Sequence, residues 1–323
     1  MGFVIWNFEI YALCPLPHAN MGFHMEPDQK IIFSIVKKFI KGVPHLSSLA
    51  SGGKAGPALS GVEGVKGTLR EALGLREREV ISLVGAGGKT TLMYCLAKEL
   101  FLSRKRVVTT TTTKILEPKL EETNFLLVDS DERRIKDFVW RHLDQYRHLT
   151  VARARLGLGK LEGVSAGLVN DLWSLDKIDT IIVEADGAAG RPVKAPREWE
   201  PVIPTTSTLV VAILGVDGVG KKLNEESAFQ PEGISRITGI AIGEKLSDEG
   251  MALLMTHAEG IFKGTPSSSR VVAFLNKVDI PDGVRKAKGI AGKIFEKEHS
   301  QIERVVLGQL KNEPPVAEVI FPV

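Results

Sequence analysis

The sequence predicts an α/β fold built on a doubly wound, mostly parallel sheet. Apolar runs of strand length alternate with segments of helical period, the first run leads through a glycine-rich turn into a helix, and 43% of the 323 residues are hydrophobic. That is enough to bury a substantial core. Glu79 to Val84 reads as a buried strand, Thr90 to Leu102 as a helix and Arg106 to Thr110 as the next strand. In that order they make a βαβ unit with parallel strands. Further strands are expected at Phe125 to Val128, Thr180 to Val183, Leu209 to Leu214 and Val271 to Leu275, and helices at Asp131 to His142, Ser247 to Phe262 and Asp282 to Glu298. The glycine-rich stretch Arg153 to Leu175 reads as an excursion over the edge of the site.

Residues 1–67 behave differently. Residues 1–24 mix aromatics with Pro15 and Pro17 and have no period, and Met21 and Met25 offer alternative starts. A short amphipathic helix is expected at Gln29 to Ile40, then a flexible leader, because Gly42 to Gly67 is crowded with Gly, Ser, Ala and Pro. Such a segment buries too little apolar surface to offset its ordering entropy. Its Gly52-Gly53-Lys54 follows no strand and precedes no hydroxyl, so it reads as linker. One domain is therefore expected over residues 68–323. Lys plus Arg total 42 against 39 Asp plus Glu, a net charge of +3 that does not announce a nucleic-acid partner. Cys14 and Cys95 are far apart and form neither a disulfide scaffold nor a zinc site. No apolar run approaches the roughly 20 residues that span a bilayer. Glu9 interrupts the opening apolar stretch, which also lacks a basic start. The expected place is the cytoplasm, with no membrane partner.

The strongest chemical signal is Gly85-Ala86-Gly87-Gly88-Lys89-Thr90-Thr91, set between a strand and a helix. Glycines let the backbone turn its amides around anionic oxygens, and the positive end of the following helix adds to that field. Lys89 is positioned to reach terminal phosphates and Thr90 to ligate magnesium, the pattern of a P-loop. Leu83 stands where the common spacing has another glycine, so the loop is a shortened variant. A tight turn or a dinucleotide loop is the alternative, and the Gly-Lys-Thr-Thr ending favours a triphosphate.

Thr109 to Thr113 and Lys114 follow at the carboxyl end of the second strand, where open α/β sheets bind ligands. Thr110, Thr111, Thr112, Thr113 and Lys114 are thus candidates to sense magnesium or a γ-phosphate, on the reasoning that consecutive side chains cannot all be core. The bland alternative is a β-branched strand end. The strand Ile181-Ile182-Val183 delivers Glu184 and Asp186, one residue apart and so on one face if the strand continues. That pair suits holding a metal through water and orienting an attacking water, or is a solvated strand end. Arg191 and Lys194 offer positive charge to a transferring phosphate or an anionic substrate, or are surface charges. Asn276-Lys277-Val278-Asp279, after a late strand, has the form of a guanine reader in which the Asp accepts from the base. Gly215 to Lys221 nearly repeats a phosphate loop, but Lys222 replaces the hydroxyl, so a turn is expected.

Taken in order, Val84 to Leu92, Thr110 to Lys114, Val183 to Ala188, Glu200-Pro201-Val202-Ile203-Pro204 and Asn276 to Asp279 resemble the YqeC family over roughly Thr68 to the C-terminus. The resemblance implies an accessory factor for selenium-dependent molybdenum hydroxylases, acting in selenium cofactor biosynthesis, with the hydroxylase or a cofactor intermediate as partner. One departure is Gln230 before Pro231-Glu232, where an Arg is expected. With the residues, this gives a protein that binds GTP or ATP with Mg2+ and hydrolyses it. Lys89, Glu184 and Asp186 are its catalytic candidates, and Thr90, Glu184 and Asp186 hold the metal. Three other readings stay open: a GTPase like those that load nickel into urease and hydrogenase, an ATP-dependent ligase with a short P-loop, and a nucleotide sensor without turnover.

Overall fold

The computed structural model describes residues 67–297 and 302–322, and the expectations for residues 1–66 lie outside them. Helix α1 (Leu69–Ala72) opens with a capping box in which Thr68 and Glu71 satisfy each other's backbone N–H. Strand β1 (Glu79–Gly85), helix α2 (Lys89–Leu102) and strand β2 (Val107–Thr111) form the expected βαβ unit. The chain continues through β3 (Lys114–Leu116), β4 (Leu126–Val128), α3 (Glu132–Tyr146), β5 (His148–Ala152), β6 (Ala154–Leu156), β7 (Lys160–Glu162) and α4 (Ala166–Trp173). Then come β8 (Thr180–Glu184), β9 (Val193–Lys194), β10 (Leu209–Gly215), β11 (Ala228–Phe229), α5 (Pro231–Thr238) and α6 (Asp248–Thr256). The last elements are β12 (Arg270–Asn276), α7 (Gly283–Phe295), β13 (Ile302–Gly308) and β14 (Val316–Ile320).

A nine-stranded sheet runs in the order β14-β13-β12-β10-β1-β8-β2-β5-β4, parallel throughout except at β14. Side-chain alternation along β1 decides its two faces. Ile81 and Leu83 pack with Leu92, Met93 and Leu96 of α2. Val80 turns the other way, toward Ile135 of α3 and Leu168 of α4, and Val84 toward Met251 of α6 and Ile290 of α7. Helices thus cover both faces, as expected of a doubly wound sheet.

From β1 the chain moves outward to β2, returns to β8 and then crosses to β10, so the strand order reverses between β1 and β10. Such a reversal leaves a crevice beyond the carboxyl ends of the strands. The register aligns those ends: Gly85 opposite Ile213, Leu83 opposite Glu184, Thr111 opposite Glu184, and Gly215 opposite Asn276.

The stretch Arg153 to Leu175 resolves into a β6–β7 hairpin and α4, with β3, β7 and β6 making a small antiparallel sheet. Elements without a sequence expectation include α1, β3, β5, β9, β11, α5, β13 and β14. Strand β5 follows α3 after the single residue Arg147, in the left-handed region at φ 60°, so helix and strand run together in the sequence. Helix α6 stops at Thr256 rather than Phe262, because His257 turns to an extended ψ of 142° and the Ile261 N–H folds back onto the Leu254 carbonyl.

Candidate functional site

Gly85 to Thr91 connects β1 to α2 at the reversal point. Three glycines hold φ of 96°, 85° and 141° at Gly85, Gly87 and Gly88, a region L side chains rarely enter. A Cβ on Gly87 would lie 2.3 Å from the Gly215 nitrogen, so the loop is pressed against the end of β10. The Ala86 N–H is taken by the Ile213 carbonyl and the Gly85 N–H by Asp186 Oδ2 at 3.0 Å. Among the described residues, none of the N–H groups of Gly87 to Thr91 donates to a protein acceptor. These five donors at a helix N-terminus form a cradle for an anion.

Lys89 is buried, with its Nζ 3.1 Å from Asp186 Oδ1, 3.9 Å from Glu184 Oε1, and donating to the Gly85 carbonyl. Burial works against its charge, but Asp186 and Glu184 outweigh burial and hold its pKa above the ordinary lysine value. Thr90 donates its hydroxyl to Glu184 Oε2 at 2.7 Å. Burial raises the Glu184 pKa, while Lys89 and Thr90 pull against that shift.

The two carboxylates differ from a solvated strand-end pair. Strand β8 ends at Glu184, and Asp186 lies beyond it with no exposed surface. Lys194 is as buried as Asp186, so it is neither a surface charge nor open to a substrate. Its Nζ lies 2.9 Å from Asp186 Oδ2 and 2.8 Å from Glu200 Oε2, and donates to the Gly187 carbonyl at 2.6 Å. Burial raises the Glu200 pKa, but Lys194 more than reverses this and leaves the carboxyl below its ordinary value. Positive and negative side chains therefore alternate from the loop inward: Lys89, Asp186, Lys194, Glu200. Every member has its partner, as buried charge requires.

The threonine run corrects one expectation. Thr109, Thr110 and Thr111 are all buried, because each hydroxyl finds a partner within the sheet. Thr110 donates to the Val151 carbonyl at 2.8 Å, Thr111 to the Glu184 carbonyl at 2.7 Å, and Thr109 pairs with His148 and Thr150. Thr112 and Thr113 are half-buried, Thr112 donating to the Val202 carbonyl. Lys114 stands exposed on β3.

Asn276 ends β12 and donates its Nδ2 to the Gly87 carbonyl at 2.8 Å, tying the Asn-Lys-x-Asp segment to the glycine loop. Lys277 pairs with Asp217 at 2.9 Å. Asp279 is exposed and accepts only from Asn312 Nδ2, at 3.3 Å. The stretch after Gly215 forms a turn, as expected, with a 3-10 segment at Val216–Gly218.

A cavity of about 970 Å³ joins most of these groups: Gly87 to Thr91, Glu184, Arg191, Lys114 and Asn276, Lys277 and Asp279 all line it. Thr110 to Thr113, Lys194 and Asp186 do not. Sequence reasoning missed Lys160, Arg197, Phe229 and Lys311, which also line the cavity. Only Lys160 had a signal, in the Gly157-Leu158-Gly159-Lys160 turn. The described residues hold no cluster of three or more His, Cys, Asp and Glu side chains of the kind that holds a metal without help from a ligand. None of their helices is long and apolar enough to cross a membrane.

Two solved structures overlap remotely with the fold. The signal recognition particle 54 kDa protein of Aeropyrum pernix K1, in complex with GDP, matches at 16% identity and a TM-score of 0.32 over 76% of this chain and 43% of that one. FtsY of Mycoplasma mycoides matches at 12% identity and a TM-score of 0.32, over 77% of this chain and 66% of that one. In sequence, the family model described as YqeC protein matches residues 81–232, from within β1 to the start of α5. The protein described as "Uncharacterized protein YqeC" from Escherichia coli (strain K12) is 30% identical over 246 residues, which is 76% of this chain and 93% of that protein. The stretch matched by the family model contains the glycine loop, the buried charges and Glu200, and with a relative aligned over nearly its whole length the chain belongs to the YqeC family.

Proposed function

We propose that this chain binds guanosine triphosphate with Mg2+ in the cleft beyond β1 and hydrolyses it, serving as a nucleotide-operated accessory factor in maturing selenium-dependent molybdenum hydroxylases. The observation that carries the nucleotide reading is the bond from Asn276 Nδ2 to the Gly87 carbonyl. It ties the Asn-Lys-x-Asp segment, read here as the base reader, to the glycine loop. Asp279 stays exposed to accept from the imino and amino groups of guanine. Unbonded N–H groups at Gly87 to Thr91 receive phosphate oxygens, and Lys89 adds a charge that is fully present at neutral pH.

When Lys89 turns toward phosphate, Asp186 is not stranded, because Lys194 and the Gly85 N–H remain on its Oδ2. The Thr90 hydroxyl and the Glu184 carboxylate, already in contact, fit the hard oxygen set that magnesium takes alongside phosphates. Bound there, the ion neutralises charge on the phosphates. Glu184 also lines the cavity, and its carboxylate orients an attacking water in this reading. The role in hydroxylase maturation follows from the resemblance to the YqeC family.

Magnesium-dependent binding of labelled GTP and ATP tests the proposal directly. The expected result is a preference for GTP, loss of binding in Lys89→Ala, and loss of the preference in Asp279→Ala. ATP binding indifferent to Asp279 would move the reading to an ATPase or ligase, and binding of neither nucleotide would overturn it.

A further inference from the structure

The cavity has more positive charge than one nucleotide uses and, apart from Lys311 after β13, the surplus falls to Lys114, Lys160, Arg191 and Arg197. Its wall contains seven cationic side chains and only two acidic ones, Glu184 and Asp279. Lys89 and Lys277 are engaged with carboxylates. Lys114, Lys160, Arg191 and Arg197 have no carboxylate partner: Lys114 and Lys160 project unpaired from β3 and β7, Arg191 donates only its Nε to the Glu225 carbonyl, and the Arg197 guanidinium lies over the Phe229 ring at 4.8 Å. A cluster of like charges without counter-charges is unfavourable in the empty protein and indicates an anionic occupant.

Sheet order sets part of this cluster apart from the base reader. Asn276 to Asp279 follows β12 on one side of β1 and Lys114 follows β2 on the other, whereas Arg191 adjoins Pro192, whose carbonyl accepts from the Gly215 N–H at the end of β10. A nucleotide with its base at Asp279 and its phosphates on the loop would point its terminal phosphate toward the basic end. The volume of about 970 Å³ is at the top of the ~300–1,000 Å³ range of small-molecule sites. Ile115, Leu116 and Phe229 add apolar surface among the four cations, suited to an organic body rather than a bare ion.

We propose that Lys114, Lys160, Arg191 and Arg197 form a second subsite, which binds a phosphate-bearing organic small molecule beside the terminal phosphate of the nucleotide. The subsite deepens the nucleotide reading and rests on it for the orientation of its neighbour. A concave cleft lined by these charges fits a small molecule better than the flat face of a macromolecule.

Phenyl phosphate is the probe, titrated calorimetrically into protein saturated with magnesium and a non-hydrolysable GTP analogue, with inorganic phosphate as the comparison. The expected result is one saturable phenyl phosphate per chain, bound about tenfold more tightly than inorganic phosphate, with at least a tenfold loss in Lys160→Ala and in Arg197→Ala. The proposal requires that the analogue bind these variants as it binds the wild type. If phenyl phosphate binds only by displacing the analogue, or if both variants weaken the analogue instead, the basic end belongs to the nucleotide and the proposal fails. If no analogue binds at all, the nucleotide reading fails, and the same titration on the free protein decides the subsite by its dependence on Lys160 and Arg197.

Discussion

Replacing Lys194 by methionine removes the charge at the centre of the buried network while nearly preserving volume. Deleting one partner of a buried ion pair costs about 3–5 kcal/mol, because the other is left buried and unpaired. Here both carboxylates keep some support. Asp186 retains Lys89 at 3.1 Å and the Gly85 N–H at 3.0 Å, and Glu200 retains the N–H groups of Gly187 at 3.3 Å and Arg197 at 3.2 Å. The expected loss is therefore at the lower end, about 3 kcal/mol. With a urea slope of about 3 kcal/mol/M, the unfolding midpoint should fall by about 1 M. The pH dependence adds a second signature. Glu200 has a folded pKa below its ordinary 4.5, so its contribution is present above that value and is lost as pH falls through the folded pKa. The deficit of Lys194→Met should thus be widest at neutral pH and narrow below about pH 4.5. Urea unfolding followed by circular dichroism measures both. A variant within about 1 kcal/mol of wild type at pH 7, or a deficit unchanged between pH 7 and pH 4, would refute the reasoning.

Three further outcomes follow from the geometry. Gly87→Ala, which forces a Cβ to 2.3 Å from the Gly215 nitrogen at φ 85°, should displace the loop and abolish nucleotide binding in a labelled-GTP filter assay while the far-UV spectrum stays native. Glu184→Gln should keep GTP binding within a few-fold but reduce steady-state phosphate release by at least about a hundredfold, as expected when a positioned carboxylate is lost. His148 is buried beside Thr109, and burial lowers its pKa to about 4 from 6.5, so stability is full above pH 6.5 and falls by up to about 3 kcal/mol as pH drops toward 4. His148→Gln should flatten that part of the stability–pH curve in thermal unfolding.

The centre of the fold was readable because its strands are buried on both faces. β1, β8, β10 and β12 are near-continuous apolar runs, and such runs in alternation with helices announce a parallel sheet. The β13–β14 end of the sheet gave weaker patterns. β13 begins Ile302-Glu303-Arg304 and β14 contains Glu318, and each is partly exposed. Their pairing makes them strands, and composition does not encode pairing. Helix α5 is eight residues long and begins with Pro231 at its first turn, too short for its period to stand out.

In the site, backbone-encoded features were legible and paired side chains were not. A glycine loop before a helix specifies its geometry locally, so its cradle could be read from seven letters. The threonine run misled because a hydroxyl is suited to either a ligand or a neighbouring carbonyl, and only the sheet partners at Val151 and Glu184 decide between them. Lys194 makes the same point more sharply. In the sequence it is a lysine near an arginine, indistinguishable from surface charge. In the fold, β9 carries it under the loop, where Asp186 and Glu200 flank its ammonium. Arg191, three residues earlier, faces the cavity without an acidic partner. Whether a charge is structural or available to a ligand thus depends on which carboxylates the topology delivers to it, and it is that contrast, rather than the number of basic residues, that separates the buried network from the basic end of the cavity.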